Sequence, residues 1–177
     1  MPSDIGWFKT ERLKNGVARP TRYSVDFIVA GAENAPPGFP LTDATPLTCT
    51  LPSKSFVTMD EQWFGPTKTI PLCHKYTGDV IMSFLEDETG VVRTFFEAWM
   101  NGVVFPSTNY MNYGRGVAEV ATVKINTLKH DGSKMGTYTL HDAYVSDILP
   151  INLGAGMFND FMSVTVKWEY KYYVYYD

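Results

Sequence analysis

Three histidines and two cysteines are the residues of this chain best suited to metal or nucleophilic chemistry, and their spacing argues against both. Cys73 and His74 are neighbours, so on a strand they point to opposite faces and cannot share one ion. His130 precedes Asp131-Gly132, a turn signal. His141 belongs to no Ser-His-Asp order with a nucleophile elbow. Cys49 and Cys73 show neither a metal spacing nor a redox pair, and a small buried apolar residue is expected at each. Gly154-Ala155-Gly156 matches half of a dinucleotide fingerprint, but the third glycine is missing and a strand pattern follows where a helix is required. Glu86-Asp87-Glu88 has the charge to attract a cation, yet three acids before a helical pattern suit a helix N-terminus better. No Walker loop, zinc pattern or EF-hand loop occurs. The expectation is a protein that is not an enzyme, with no catalytic residues, no cofactor and no metal.

The elements that would carry any site come next. A chain of 177 residues is read as one domain, 1–177, long enough for a substantial core. Apolar content of 45% excludes intrinsic disorder, and the charged share of 19% is low, as expected when surface is buried in an assembly. Aromatic residues make up 15%, which favours strands and interfaces. A net charge of -4 argues against a surface that grips nucleic acid through clustered Lys and Arg. The first residues, with Asp4, Lys9, Glu11, Arg12 and Lys14, lack the basic-then-apolar order of a signal peptide. No run approaches the ~20 apolar residues of a membrane span. Synthesis in a cytoplasm, with no membrane partner, is expected.

Along the chain, residues 1–19 read as an arm with Trp7 and Phe8 as apolar anchors. Tyr23, Val25, Phe27 and Val29 alternate with Ser24 and Asp26 in a first strand. Residues 31–46 hold four prolines and two glycines and read as a loop. Strands are expected at 47–51, 55–63, 67–76 and 79–85, the second with charge on both faces and therefore exposed or at an interface. Val92, Phe95, Phe96, Trp99 and Val103 form the apolar stripe of one helix, at about residues 91–101, with Asn101-Gly102 as its stop and Arg93–Glu97 as an ion pair. Residues 105–116, with Tyr110 and Tyr113 near Gly114 and Gly116, read as a second long loop. A strand at 117–128, the Asp131-Gly132 turn and a return strand from near Met135 follow. This is an α+β chain, mainly antiparallel β: a barrel or sandwich with one flanking helix.

Residues 163–177 are a single alternating run without Pro or Gly. Val164, Val166, Trp168, Tyr170, Tyr172 and Val174 share one face, and from Tyr173 the other face turns aromatic as well. At roughly 3.3 Å per residue one strand of this length would span about 50 Å, against about 17–20 Å for an ordinary strand. Long aromatic strand ends are normally avoided as aggregation sites, so a chain that keeps one is expected to assemble.

The order of elements resembles the major tail tube protein of contractile-tailed, myovirus-type bacteriophages. The resemblance runs over about residues 18–172, through Ala18-Arg19-Pro20, Cys49-Thr50-Leu51-Pro52, the stretch from Asp79 to Phe84, Glu88 and Gly90, then Phe96, Glu97 and Trp99, the stretch from Tyr138 to Tyr144, and Ser163 to Val166 with Trp168 and Tyr170. It implies a barrel or sandwich with one flanking helix, forming hexameric rings that stack into a hollow tube inside a contractile sheath. It implies self-association, a sheath protein, a baseplate or tube initiator, and a lumen holding tape measure protein and passing DNA without specific binding. The protein would be a virion component. Related tubes serve type VI secretion and phage-derived injection machines, so an initiator or a subunit of such a machine is an alternative. A small-molecule-binding β-barrel is an alternative of another class. The loop at 31–46 is longer than the resemblance implies, and 172–177 extends past the expected end.

Within that reading, Trp168, Tyr170, Tyr172, Tyr173 and Tyr175 are expected to include inter-subunit contacts. Asp60, Glu61, Glu86, Asp87 and Glu88 are candidates for the lumen or the ring-stacking surface, where weak repulsion would keep a polyanion mobile. Residues 53–66 are the first candidate for stacking contacts and the N-terminal arm the second.

Overall fold

The computed structural model describes residues 18–29, 46–62, 64–110, 121–154 and 161–177. The expectations for Trp7, Phe8 and the arm before residue 18, the loop at 31–45, Trp63, Tyr113, Gly114, Gly116 and Ala155-Gly156 lie outside those residues. The elements are β1 (Tyr23–Val29), β2 (Thr48–Cys49), β3 (Ser53–Glu61), β4 (Lys68–Thr77), β5 (Val80–Leu85), α1 (Val91–Val103), β6 (Ala121–Leu128), β7 (Lys134–Ile148), β8 (Ser163–Glu169) and β9 (Tyr172–Tyr176). The fold is mainly antiparallel β with one helix among the described residues; its sheets do not close, so it is a sandwich and not a barrel.

Seven strands form one hydrogen-bonded sheet: six follow the path β1-β6-β7-β8-β5-β2, and β9 branches off it by pairing with β7. β7 folds this path into two layers. Its first half pairs with β6 and β9, and its second half with β8. The corner is at Asp142, which has a left-handed φ of 53° beside a break in the β6 register. Strands that switch layers do so at such bulges. The front layer is therefore β1-β6-β7-β9, and the back layer is β7-β8-β5-β2.

The long terminal run turns the same corner. It is not one strand: β8 ends at Glu169 and β9 begins at Tyr172. Tyr144 pairs with Glu169 on one side of the break and His141 with Tyr172 on the other. The Lys171 N–H donates to the His141 carbonyl at 3.1 Å and holds the bend. The inward parity changes across it. Val164, Val166 and Trp168 are buried, whereas beyond the bend Tyr173 packs on the core and Tyr172 is exposed.

The two layers face each other across an aromatic core. Phe27 of the front layer stacks on Trp168 of the back layer at 5.4 Å between centroids. α1 closes the core with Val92, Phe95, Phe96 and Trp99. Phe96 meets Phe84 at 5.2 Å, and Trp99 meets Trp168 edge-on at 5.4 Å. Neither buried indole N–H has a hydrogen-bond partner among the described residues. Both rings are held by packing.

α1 begins at Gly90, whose φ of 68° favours glycine and which has no side chain to cap with. Upstream acids do the capping. Glu86 accepts from the Val92 and Arg93 N–H groups at 3.0 and 2.9 Å, and Asp87 accepts from Val91 at 3.4 Å. Replacing Glu86 with Ala should cost about 1–2 kcal/mol, the usual value of a lost cap, read as a lower urea midpoint with an unchanged slope. The helix runs through Asn101-Gly102 to Val103, past the expected stop. Gly102 is not left-handed, and the helix ends where Val104 turns extended (φ -135°). The strand expected at 47–51 shortens to β2 because the Thr50 hydroxyl, not the backbone, accepts from the Ile81 N–H at 2.7 Å.

Among the described residues β3 and β4 pair only with each other. Nearly every residue of β3 is exposed, as the charge on both its faces predicts. The ribbon is tied down at its base: Tyr76 meets Tyr173 at 5.6 Å, and the Lys54 ammonium lies 5.7 Å from the Tyr173 ring.

Candidate functional site: the polar face and free edges of the front layer

The front layer has an apolar inner face, which is the core, and a polar outer face. Alternation along β1, β6, β7 and β9 and the strand registers fix the outer face as three rows. Ser24, Asn126, Thr137 and Tyr176 form one; Asp26, Lys124, Thr139 and Val174 the next; Ile28, Thr122, His141 and Tyr172 the third, across the β7 bulge. A hydrogen-bond network ties the strands together. The Asn126 amide N–H groups donate to Ser24 Oγ at 3.1 Å and to Asp26 Oδ2 at 2.9 Å, and its carbonyl accepts from Thr137 Oγ1 at 2.9 Å. Asn126 is 1% exposed. A buried amide with its polar atoms used in this way fixes the pairing of three strands. His141 stacks on Tyr172 at 4.6 Å.

The layer ends at β1 on one side and β9 on the other, each paired along one edge only among the described residues. Successive strands are antiparallel, so β1 and β9 run in opposite directions. The β9 edge of one copy thus fits the β1 edge of another as a further antiparallel pair.

The predicted aromatic residues divide. Trp168 is fully buried in the chain's own core, where burial within the fold accounts for it. Tyr170, at the bend, donates from its hydroxyl to the Ser53 carbonyl at 3.4 Å, and burial raises its pKa. Tyr173 packs among Tyr76, Tyr138 and Tyr170, and burial raises its pKa too. Tyr172 and Tyr175 are exposed edge residues, with Tyr175 donating to Asp177 at 2.9 Å. Gly136 lies under the Tyr175 ring, whose Cε2 atom would be 2.6 Å from an added Cβ. Gly136→Ala should therefore displace Tyr175 and loosen β9, seen as faster amide exchange across 172–176 with β8 unchanged.

The predicted acids also divide, between two elements. Asp60 accepts from Thr69 at 2.8 Å across the β3–β4 ribbon, and Glu61 stands opposite Lys68. Glu86 and Asp87 are engaged at the start of α1. Hydrogen bonding from the Thr89 side chain is the main cause that holds the Asp87 carboxyl below its ordinary value. Its contribution is present above that ordinary value and lost as pH falls through the depressed one. Glu88 is exposed in the same turn. The two cysteines behave differently from each other. Cys49 is partly buried, and burial pushes its thiol up to about 12. Cys73 is exposed on the ribbon, which corrects the expectation of burial there. No group of His, Cys, Asp and Glu suited to a metal occurs among the described residues, and no described helix is long and apolar enough to cross a membrane.

Sequence reasoning missed the outer-face network. Its signal was present in Thr122, Lys124 and Asn126, which alternate with Val123 and Ile125 in β6.

The sequence matches a family model, phage tail tube protein, over residues 18–176. The chain belongs to the phage tail tube protein family. The match reaches Tyr176, so β9 is part of the tail tube pattern and not an extension beyond it. Solved structures share the fold. A chain from the anti-feeding prophage baseplate, 6-fold symmetrised, aligns with a TM-score of 0.65 at 14% identity, covering 90% of this chain and 95% of that one. A chain from the sheath/tube terminator of an extracellular contractile injection system aligns at 0.64 and 12%, covering 91% and 97%. One from the sheath-tube complex of such a system aligns at 0.54 and 12%, covering 99% of each. The search of curated proteins found no match. This tail tube protein thus has a structural role.

Proposed function

We propose that the chain forms hexameric rings that stack into the tube of a contractile phage tail, and that DNA passes through the lumen during ejection. The observation that carries this is the front layer: among the described residues its two edge strands, β1 and β9, are each paired on one side only, and its outer face is polar. Pairing β9 of one copy with β1 of the next is a head-to-tail contact, and such contacts close into rings when the rotation allows. Closure removes both free edges. The polar face then lines the channel. Tyr172 and Tyr175, with Tyr170 and Tyr173 beside them, lie at the seam. Six-fold order is supported by the symmetry of the baseplate that contains the similar chain.

The β3–β4 ribbon is proposed to make the stacking contacts. A two-stranded ribbon is at best marginally stable alone in water, and this one leaves Phe56, Met59 and Leu72 more than half or about half exposed. Burial against the next ring would cover them. Asp60 and Glu61 near its end, with Glu88, are the acids best placed for a stacking or lumen role. A sheath outside, a baseplate or initiator at one end, and tape measure protein in the lumen are the partners of such a tube, which places the chain in the virion. No catalytic role is proposed.

A second reading, a subunit at the tube end, has in its favour the higher TM-scores to chains from baseplate and terminator structures than to one from a sheath-tube complex. A ligand-binding barrel would need an apolar cavity, and Phe84, Phe96, Trp99 and Trp168 fill that space. Negative-stain imaging of the purified chain tests the reading. Rings or hollow tubes are expected; compact monomers that stay monomeric in the presence of tube ends from the same particle would overturn it.

A further inference from the structure

We propose that Asp26 keeps the channel wall from holding DNA by masking Lys124; this rests on the ring reading above. In the three outer-face rows, Lys124 is the one ammonium and Asp26 the one carboxylate. They are direct cross-strand partners in the β1–β6 register. Side chains so placed stand with Cβ atoms about 4.5–5.5 Å apart. The two charged ends do not close into an ion pair, but opposite charges on neighbouring strand positions present little net charge beyond a Debye length of about 8–10 Å. A phosphate approaching the wall is therefore drawn by Lys124 and repelled by the neighbouring Asp26 carboxylate, and gains little net attraction.

The carboxylate is held in place from below. Asn126, 1% exposed, donates to Asp26 Oδ2 at 2.9 Å and is itself fixed by Ser24 and Thr137. The remaining polar groups of the rows are hydroxyls, the Asn126 amide and the His141 ring stacked on Tyr172. Within these three rows the wall is then close to charge-balanced, and the acids at the ribbon end and helix start are not needed to make them non-retentive. Because the same pair recurs in every copy of every ring, one lost carboxylate becomes a repeated array of unmasked ammonium groups, the arrangement that binds a polyanion.

The test uses assembled tubes at pH 8 and a short labelled DNA duplex, with retention read by co-sedimentation over a salt series. Native tubes should leave the duplex in solution. Asp26→Asn, which preserves an oxygen acceptor for Asn126, should retain it. With two phosphate contacts, retention should weaken about tenfold between 50 and 200 mM salt. Adding Lys124→Gln to Asp26→Asn should abolish retention again. Ile28→Lys, at a position 46% exposed on the same face, adds an unpaired cation without touching the Asn126 network and should also retain the duplex. Asp26→Asn and Ile28→Lys tubes that release DNA as freely as native ones would overturn the proposal, as would native tubes that retain it. Electron microscopy of the same samples separates this from failure of the ring reading, in which the native chain builds no tubes at all.

Discussion

A chain ending at Lys171 is expected to fold and to build no tubes. The deletion removes β9, which pairs with β7 over residues 172–176 and forms one free edge of the front layer. Within the subunit, the main apolar loss is Tyr173, a partly buried ring packed against the core. Burying one such side chain is worth roughly 1.5–3 kcal/mol, less than the roughly 5–15 kcal/mol by which small domains are stable. The Phe27–Trp168–Trp99 core does not include β9. The truncated protein should therefore melt cooperatively at a lower temperature. Between subunits the loss is complete, because β1 of the next copy would have no antiparallel strand to meet. Imaging by negative stain alongside thermal melting checks both halves of this expectation. Normal tubes from the truncated chain would show that β9 is not the ring seam.

Trp168→Ala has the opposite signature, a large loss of stability from a residue buried within the subunit. The indole is fully buried between Phe27 at 5.4 Å, Phe96 at 6.1 Å and Trp99 at 5.4 Å, so it joins front layer, back layer and helix. Trp→Ala at such a site costs about 3–5 kcal/mol, because the cavity adds to the lost transfer energy. Urea denaturation of unassembled protein should show that loss. Trp168→Phe should recover part of it, since Phe keeps an aromatic ring in the stack. An exposed residue should give little change in the unassembled protein, so the measurement also separates Trp168 from Tyr172 and Tyr175, the residues proposed at the seam.

Much of this arrangement was legible in the sequence where a local pattern decides it. The alternation from Tyr23 to Val29, the Val92–Trp99 stripe and the Asp131-Gly132 turn each became the expected element. The acidic turn before α1 was legible as a helix start, although the sequence could not show that Glu86, rather than a residue beside the helix, reaches two backbone N–H groups. The bend in the terminal run was not legible. Tyr170 and Lys171 are neither Gly nor Pro, and the corner depends on the distant Asp142 and on a bond from Lys171 to His141. Because period-two alternation assumes an unbroken strand, it placed Tyr172 on the face of Trp168. The bend instead brings Tyr173 inward and leaves Tyr172 at the edge. The outer-face network was missed for a related reason. Ser24, Asp26, Asn126 and Thr137 are ordinary polar strand positions until the register brings them into two adjacent rows.

The most direct measurement of the central claim is a cryo-electron microscopy map of tubes polymerised from this chain. The account predicts six copies per ring, β9 of each hydrogen-bonded antiparallel to β1 of the next, and Asp26, Lys124 and Asn126 facing the lumen. A tube in which the β1 and β9 edges lie in solvent, or whose lumen is lined by the back layer, would contradict it.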